Sequence, residues 1–145
     1  MSEANITELL RRILGGSSSS MISMPRNGRI FVNVNRENLR ILVQSLKNEG
    51  FSHLSAITGL EAEDGIELLY HMSSSGTILT LRVKIPLNDA TAPTIMDIIP
   101  GATLYEREVH DLLGVKFEGH GNLERLILPD SWPENKYPLR KRSVE

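Results

Sequence analysis

Apolar residues recur along the chain in two periods, and the change from one to the other marks the expected elements. Near the start, Ile6, Leu9, Leu10, Ile13 and Leu14 follow helical spacing behind Asn5-Ile6-Thr7-Glu8, which reads as an N-cap with a Glu three residues on, and Gly15 closes the run. Gly15-Gly16 and the serines from 17 to 20 then make a low-complexity stretch. The expected layout is an amphipathic helix over 1–16, free to find its apolar contact in this chain or on a partner, and a flexible linker over 17–28. From Arg29 to Val34 the period falls to two, with Ile30, Val32 and Val34 on one face, as in a strand. Asn35 is placed to cap the helix that follows, whose stripe is Leu39, Leu42, Val43 and Leu46 and whose end falls at Gly50.

Three more extended segments follow, Ser52 to Thr58, Ile66 to Met72 and Thr77 to Ile85, separated by turns at Asp64-Gly65 and Ser73-Ser74-Ser75-Gly76. In the last, Thr77, Leu79, Leu81, Val83 and Ile85 share one face and Thr80, Arg82 and Lys84 the other. These elements predict an α+β domain over 29–128: a four-stranded, largely antiparallel sheet with one main helix on a face. One helix covers such a sheet incompletely, so the C-terminal region or another subunit is expected over the remainder.

After Pro100-Gly101, Thr103-Leu104-Tyr105-Glu106 has the capping-box pattern, and Tyr105, Val109, Leu112 and Leu113 give the next helix its stripe before Gly114. This helix is dense in ionisable groups. Arg107 and Asp111, four apart, suit a solvated surface pair, with Glu106 as the cap. Glu108, beside Tyr105 and Leu112, is expected to be partly buried, with Arg107, Arg125 or Arg140 as its partner. Residues 129–145 contain Pro129, Pro133 and Pro138 with Trp132 and Tyr137, which predicts an extended docking arm, or a Trp132 folded back over the sheet.

The composition narrows the chemistry. Lys and Arg number 16 against 18 Asp and Glu, a net charge of -2, so no global field draws the chain to nucleic acid or an anionic membrane. The absence of cysteine excludes disulfides, thiolate catalysis and Cys-ligated clusters within this sequence. The first residues carry Glu8, Arg11 and Arg12 among the apolar ones and lack the apolar core of a signal peptide. No stretch approaches the roughly 20 apolar residues of a membrane-crossing helix. Glu106, His110 and Asp111 are the candidate set for a small metal-dependent hydrolase, but two ligands at i, i+4 are too few and no His-Glu-x-x-His or Gly-x-Ser-x-Gly motif occurs. A nucleic-acid module built on Arg140, Lys141 and Arg142 with Trp132 and Tyr137 is the other alternative, opposed by the acidic remainder.

The run Glu106-Arg107-Glu108-x-x-Asp111-Leu112-Leu113-Gly114-Val115-x-Phe117-x-Gly119-His120, then Leu123-x-Arg125-Leu126-Ile127-Leu128-Pro129 and Tyr137-Pro138-Leu139-Arg140-Lys141, resembles the signature region of the 30-kDa subunit of respiratory complex I (NADH:quinone oxidoreductase) and of related chains in energy-converting membrane-bound nickel-iron hydrogenases. The likeness spans residues 101 to 141 and, more loosely, 51 to 86. It implies an oxidoreductase-complex component with no active site of its own and no cofactor. Iron-sulfur clusters, and in a hydrogenase nickel and iron, would lie in its partners, the large hydrogenase-like (49-kDa-type) subunit and the iron-sulfur small subunit. It also implies a place on the cytoplasmic face of the membrane, held there by the complex. The signature and contact residues so implied are Glu106, Arg107, Glu108, Asp111, Gly114, Phe117, His120, Arg125, Trp132, Pro138, Leu139, Arg140 and Lys141. Gly121, Glu124, Leu104 and Arg142 depart from the family pattern, and the short reach beyond Lys141 points to a compact hydrogenase-type or archaeal-type complex.

Overall fold

The structure, a computed structural model, describes residues 3–14, 22–26, 28–121, 131, 133 and 136–140. Among the described residues it is a mixed α+β fold with three α-helices and a mostly antiparallel five-stranded sheet. Helix α1 spans Glu3–Leu14, so Asn5 lies inside the helix and does not cap it. Ile6, Leu9 and Leu10 are buried in the common core, and α1 packs against α2: the N-terminal stripe finds its contact within this chain.

Strand β1 (Ile22–Arg26) occupies part of the segment expected to be linker. It pairs antiparallel with β2 (Arg29–Val34), a fifth strand that corrects the expected count of four. Only Ile22 and Met24 alternate before Pro25 interrupts the run, too short a pattern to mark a strand, and pairing with β2 decides the conformation of β1. Beyond β2 the chain makes a 3-10 turn over Arg36–Asn38 behind Asn35, whose side chain makes no capping bond, and enters α2 (Leu39–Asn48). Leu39, Leu42, Val43 and Leu46 are buried as their spacing requires. At the far end Gly50 is left-handed (φ 99°), and the Phe51 amide returns to the Leu46 carbonyl at 2.9 Å while its ring enters the core.

The meander β3 (His53–Ala62), β4 (Gly65–Ser74) and β5 (Thr77–Ile85) follows, antiparallel throughout. Its second turn places Ser75 (φ 47°) and Gly76 (φ 85°) between the paired Ser74 and Thr77, a two-residue turn with both central residues left-handed. Because α2 carries the chain across to the far edge, β5 returns beside β2 and parallel to it, giving the order β1-β2-β5-β4-β3. One face of the sheet holds Leu68, Tyr70 and Met72 of β4 and Leu79, Leu81 and Val83 of β5, all fully buried.

A second, two-stranded parallel sheet joins β6 (Thr91–Pro93) to β7 (Lys116–Glu118), with α3 (Ala102–Leu113) between them in sequence. Helix α3 lies on edge strand β3, and the approach is close at Gly59: a Cβ there would run into the Leu113 side chain.

Candidate functional site

Helix α3 begins at Ala102 with no side-chain cap, and the Thr103 hydroxyl donates to the Pro100 carbonyl at 2.7 Å. Glu106 is therefore not half of a capping box. Its fully buried carboxylate points away from its own helix end and accepts from Thr94 Oγ1 at 2.5 Å and from the Ile95 amide at 2.9 Å. The Met96 amide donates to Thr94 Oγ1 at 3.1 Å, and the Ile98 and Ile99 amides return to the Ile95 carbonyl. Glu106 thus fastens the start of the turn over residues 95–99, giving the buried Ile95 amide an acceptor it would otherwise lack. Burial pushes its pKa up, against the pull of Thr94, Ile95 and His120.

His120 closes the same cluster. Its side chain is buried, and Nε2 lies 3.1 Å from the Thr103 carbonyl and 3.9 Å from Glu106 Oε1. A carbonyl only accepts, so Nε2 carries the proton in that bond. Phe117 is buried beside this cluster in β7. Tyr70, which the motifs did not single out, is entirely buried with its hydroxyl unbonded; burial, and then the charge of Glu106, raise its pKa well above the ordinary value.

The remaining ionisable residues of α3 are arranged differently from expectation. Glu108 is exposed and needs no buried partner, whereas Asp111 is buried rather than solvated, and Arg107 is half-buried. His110 Nδ1 donates to the Val115 carbonyl at 2.8 Å, which directs its ring away from Glu106. Glu106, His110 and Asp111 therefore do not converge, and among the described residues no group of three His, Cys, Asp or Glu side chains is placed to hold a metal.

The end of α3 is capped by the chain's own tail. Gly114 is left-handed (φ 75°) and its amide meets the His110 carbonyl at 2.9 Å. The Leu139 amide donates to the Leu112 carbonyl at 3.0 Å and Arg140 Nε to the Leu113 carbonyl at 2.6 Å, so two carbonyls left over at the helix end find donors. Tyr137 packs on Gly114, where a Cβ would collide with its ring, and the Arg140 guanidinium sits 5.6 Å from the Tyr137 centroid. Residues 137–140 are thus folded onto α3 and are not a free arm, and Arg140 does not serve Glu108. Arg125, Trp132 and Lys141 lie outside the described residues.

What stays outward here is apolar and charged in alternation. Leu104 is 54% exposed and Leu139 51%, with Glu108 and Pro138 also exposed. Between β3 and α3 runs a cleft of about 240 Å³ floored by Ile57, Gly59 and Val109 and edged by Tyr105, Glu108 and Leu139. A larger cleft of about 370 Å³ lies where α2 faces the β6 loop, but its two arginines are already engaged. Arg36 bonds Asp89 Oδ2 at 2.7 Å and the Asp89 and Thr91 carbonyls. Arg40 takes Asp97 with two bonds of 2.7 Å, which holds that carboxyl down at about 2. Lys47 Nζ reaches the Ile98 carbonyl at 2.7 Å. This clamp of the 3-10 turn and α2 on residues 89–98 gave no signal in the sequence, because its partners lie more than fifty residues away and half of its acceptors are backbone carbonyls.

Fold and site together define a small α+β domain in which most of the conspicuous ionisable residues are fastened into the domain's own framework. The chain belongs to the family of the 30 Kd subunit of respiratory-chain NADH dehydrogenase, whose model matches residues 32–144. The NADH-quinone oxidoreductase C subunit of Moorella thermoacetica is 35% identical over 107 residues, 71% of each chain. Its counterpart from Herpetosiphon aurantiacus is 31% identical over 130 residues, 81% of this chain and 76% of that one. In the solved structure of the membrane-bound sulfane sulfur reductase, an archaeal respiratory membrane complex, a matching chain is 30% identical with TM-score 0.84, covering 98% of this chain and 85% of its own. Among the described residues no helix is long and apolar enough to cross a membrane.

Proposed function

We propose that the chain is a cofactor-free structural subunit of the peripheral arm of a complex I-like oxidoreductase or energy-converting membrane-bound hydrogenase. It docks on the large hydrogenase-like subunit, beside the small subunit that carries iron-sulfur clusters, and the complex holds it on the cytoplasmic face of the membrane. The observation that carries this reading is the likeness over nearly the whole chain to a component of an archaeal respiratory membrane complex, together with membership of the 30 Kd subunit family. The contact face we assign is the outer surface of α3 with Leu139. There Leu104 and Leu139 expose large apolar side chains, Tyr105 and Leu112 are half-buried, and Glu108 supplies a charged rim. Electron transfer belongs to the partners, since this sequence has no cysteine to ligate a cluster.

The physical logic is that of a rigid wedge. Glu106, His120, Gly114 and Arg140 fix both ends of α3, so a partner meets an ordered surface and little side-chain freedom is lost on binding. Co-purification tests it: the tagged chain, expressed with its genomic neighbours, is expected to bring down the large subunit and the iron-sulfur small subunit in equal amount. Recovery of the chain alone under low-salt, detergent-mild conditions refutes the assignment. Leu104→Asp with Leu139→Asp should release the partner while leaving the melting temperature of the isolated chain within about 3 °C.

A further inference from the structure

The face of the main sheet opposite the core carries an excess of positive charge. Register places Arg29 and Asn33 of β2 beside β5, with Asn33 opposite Arg82, and Lys84 opposite Glu67 of β4. Glu67 is the acid that the nearby cations share: its Oε1 lies 3.9 Å from both Arg82 Nε and Lys84 Nζ, beyond hydrogen-bond reach of either. On a chain whose net charge is -2, Arg82 and Lys84 outnumber Glu67 here, and Arg29 lies on the same face opposite Ile78, farther along the strands. Asn33, Asn35, Arg82 and Lys84 border a groove of about 310 Å³. Arg82 Nε is buried and makes no hydrogen bond, although Lys84 is 60% exposed and the Arg82 side chain 38%. A donor that has left water without gaining an acceptor is destabilising until an acceptor arrives, and a carboxylate matches a guanidinium with two parallel bonds.

We propose that this groove is a second docking surface, which receives an Asp- or Glu-bearing segment of a partner subunit between Arg82 and Lys84, with the Asn33 and Asn35 amides hydrogen-bonded to its backbone. The inference rests on the reading of the chain as a subunit and adds a contact on the side of the sheet away from α3. A protein carboxylate is favoured over a nucleic-acid backbone because the cations form one short cluster interrupted by Glu67, with no row of positive charges to follow successive phosphates.

The test uses the assembly purified from cells through a tag on this chain. A water-soluble carbodiimide condenses an amine with a carboxylate in contact with it, forming the amide and passing the lost water to the reagent. The expected product is Lys84 joined to an Asp or Glu of another subunit. Arg82→Glu with Lys84→Glu should reduce the partner retained after a salt wash about tenfold. Lys84→Gln, at an exposed position, should do so in part without shifting the melting temperature. Lys84 joined only to Glu67, or left unreacted in a complex that contains the partners, overturns this docking and leaves the subunit reading standing. A tagged chain that carries no other subunit overturns both. Retardation by single-stranded DNA that the double reversal abolishes, with partner retention unchanged, assigns the groove to phosphates and refutes the proposal.

Discussion

Replacing Glu106 with Ala removes the acceptor of two buried donors, and the structure sets the size of the loss. The Ile95 amide is left without a partner in a place closed to water, which costs about 1–3 kcal/mol. The Thr94 hydroxyl also loses its acceptor, although it still accepts from the Met96 amide and can rotate, so about 1 kcal/mol is assigned to it. One packed methylene, Cγ, disappears, contributing about 0.8 kcal/mol. Against this stands the desolvation of the carboxylate, which already raises its pKa and whose relief returns about 1 kcal/mol. The net destabilisation is about 2–4 kcal/mol, a shift of about 1–2 M in the urea midpoint for a chain of this size. Glu106→Gln keeps an oxygen for the Ile95 amide and loses the acceptor for Thr94, so it should fall near half of that. Circular dichroism during urea unfolding reads both variants. An Ala variant within about 0.5 kcal/mol of the parent would refute the view that Glu106 fastens α3 to residues 94–99.

Gly114→Ala forces a side chain into a left-handed position and against the Tyr137 ring, so the loss should reach about 1–3 kcal/mol, and trypsin should cut the tail near Lys136 and Arg140 faster than in the parent. Tyr70→Phe removes a buried hydroxyl that has no partner, and the variant should match the parent or gain up to about 1 kcal/mol in urea unfolding. Asp97 titrates near 2 in the folded chain against 3.8 ordinarily, chiefly through its bonds to Arg40; a depressed carboxyl adds stability above its unfolded pKa and loses it as pH falls from about 4 to 2. Asp97→Asn should therefore flatten the melting temperature across that window, and an unchanged acid slope would refute the pairing.

Much of the fold was written in periodicity. Burial on one side of the domain forces Leu79, Leu81, Val83 and Ile85 to alternate and Leu39, Leu42, Val43 and Leu46 to recur helically, and any such sheet and helix would leave those traces. The start of α3 near Thr103 and its stop at Gly114 were legible for the same local reason. The pairing of Ile22–Arg26 was not, since that strand is held by its neighbour, nor was the β6-β7 sheet, whose three-residue strands are too short to show a period.

The candidate site divides along the same line. Local sequence located α3 and its density of charge, but the pattern of Thr103 and Glu106 is the same whether Glu106 caps its own helix or crosses to another segment. The outcome depends on the Ile95 amide, eleven residues away, being brought to 2.9 Å. Glu108 and Asp111 reverse the exposures their sequence positions suggest because both border the apolar stripe, and the side on which β3 closes against α3 decides between them. The tail could not be read from its prolines, because Arg140 meets Leu113 only once the helix has left an unpaired carbonyl for it. Sequence alone therefore determines the long, periodic elements and which side of each is apolar, since these depend on neighbours a few residues away, whereas the short strands β1, β6 and β7 depend on what they pair with. Which charges are buried and what they hold is decided by tertiary structure, because a hydrogen bond's partner is set by distance in space.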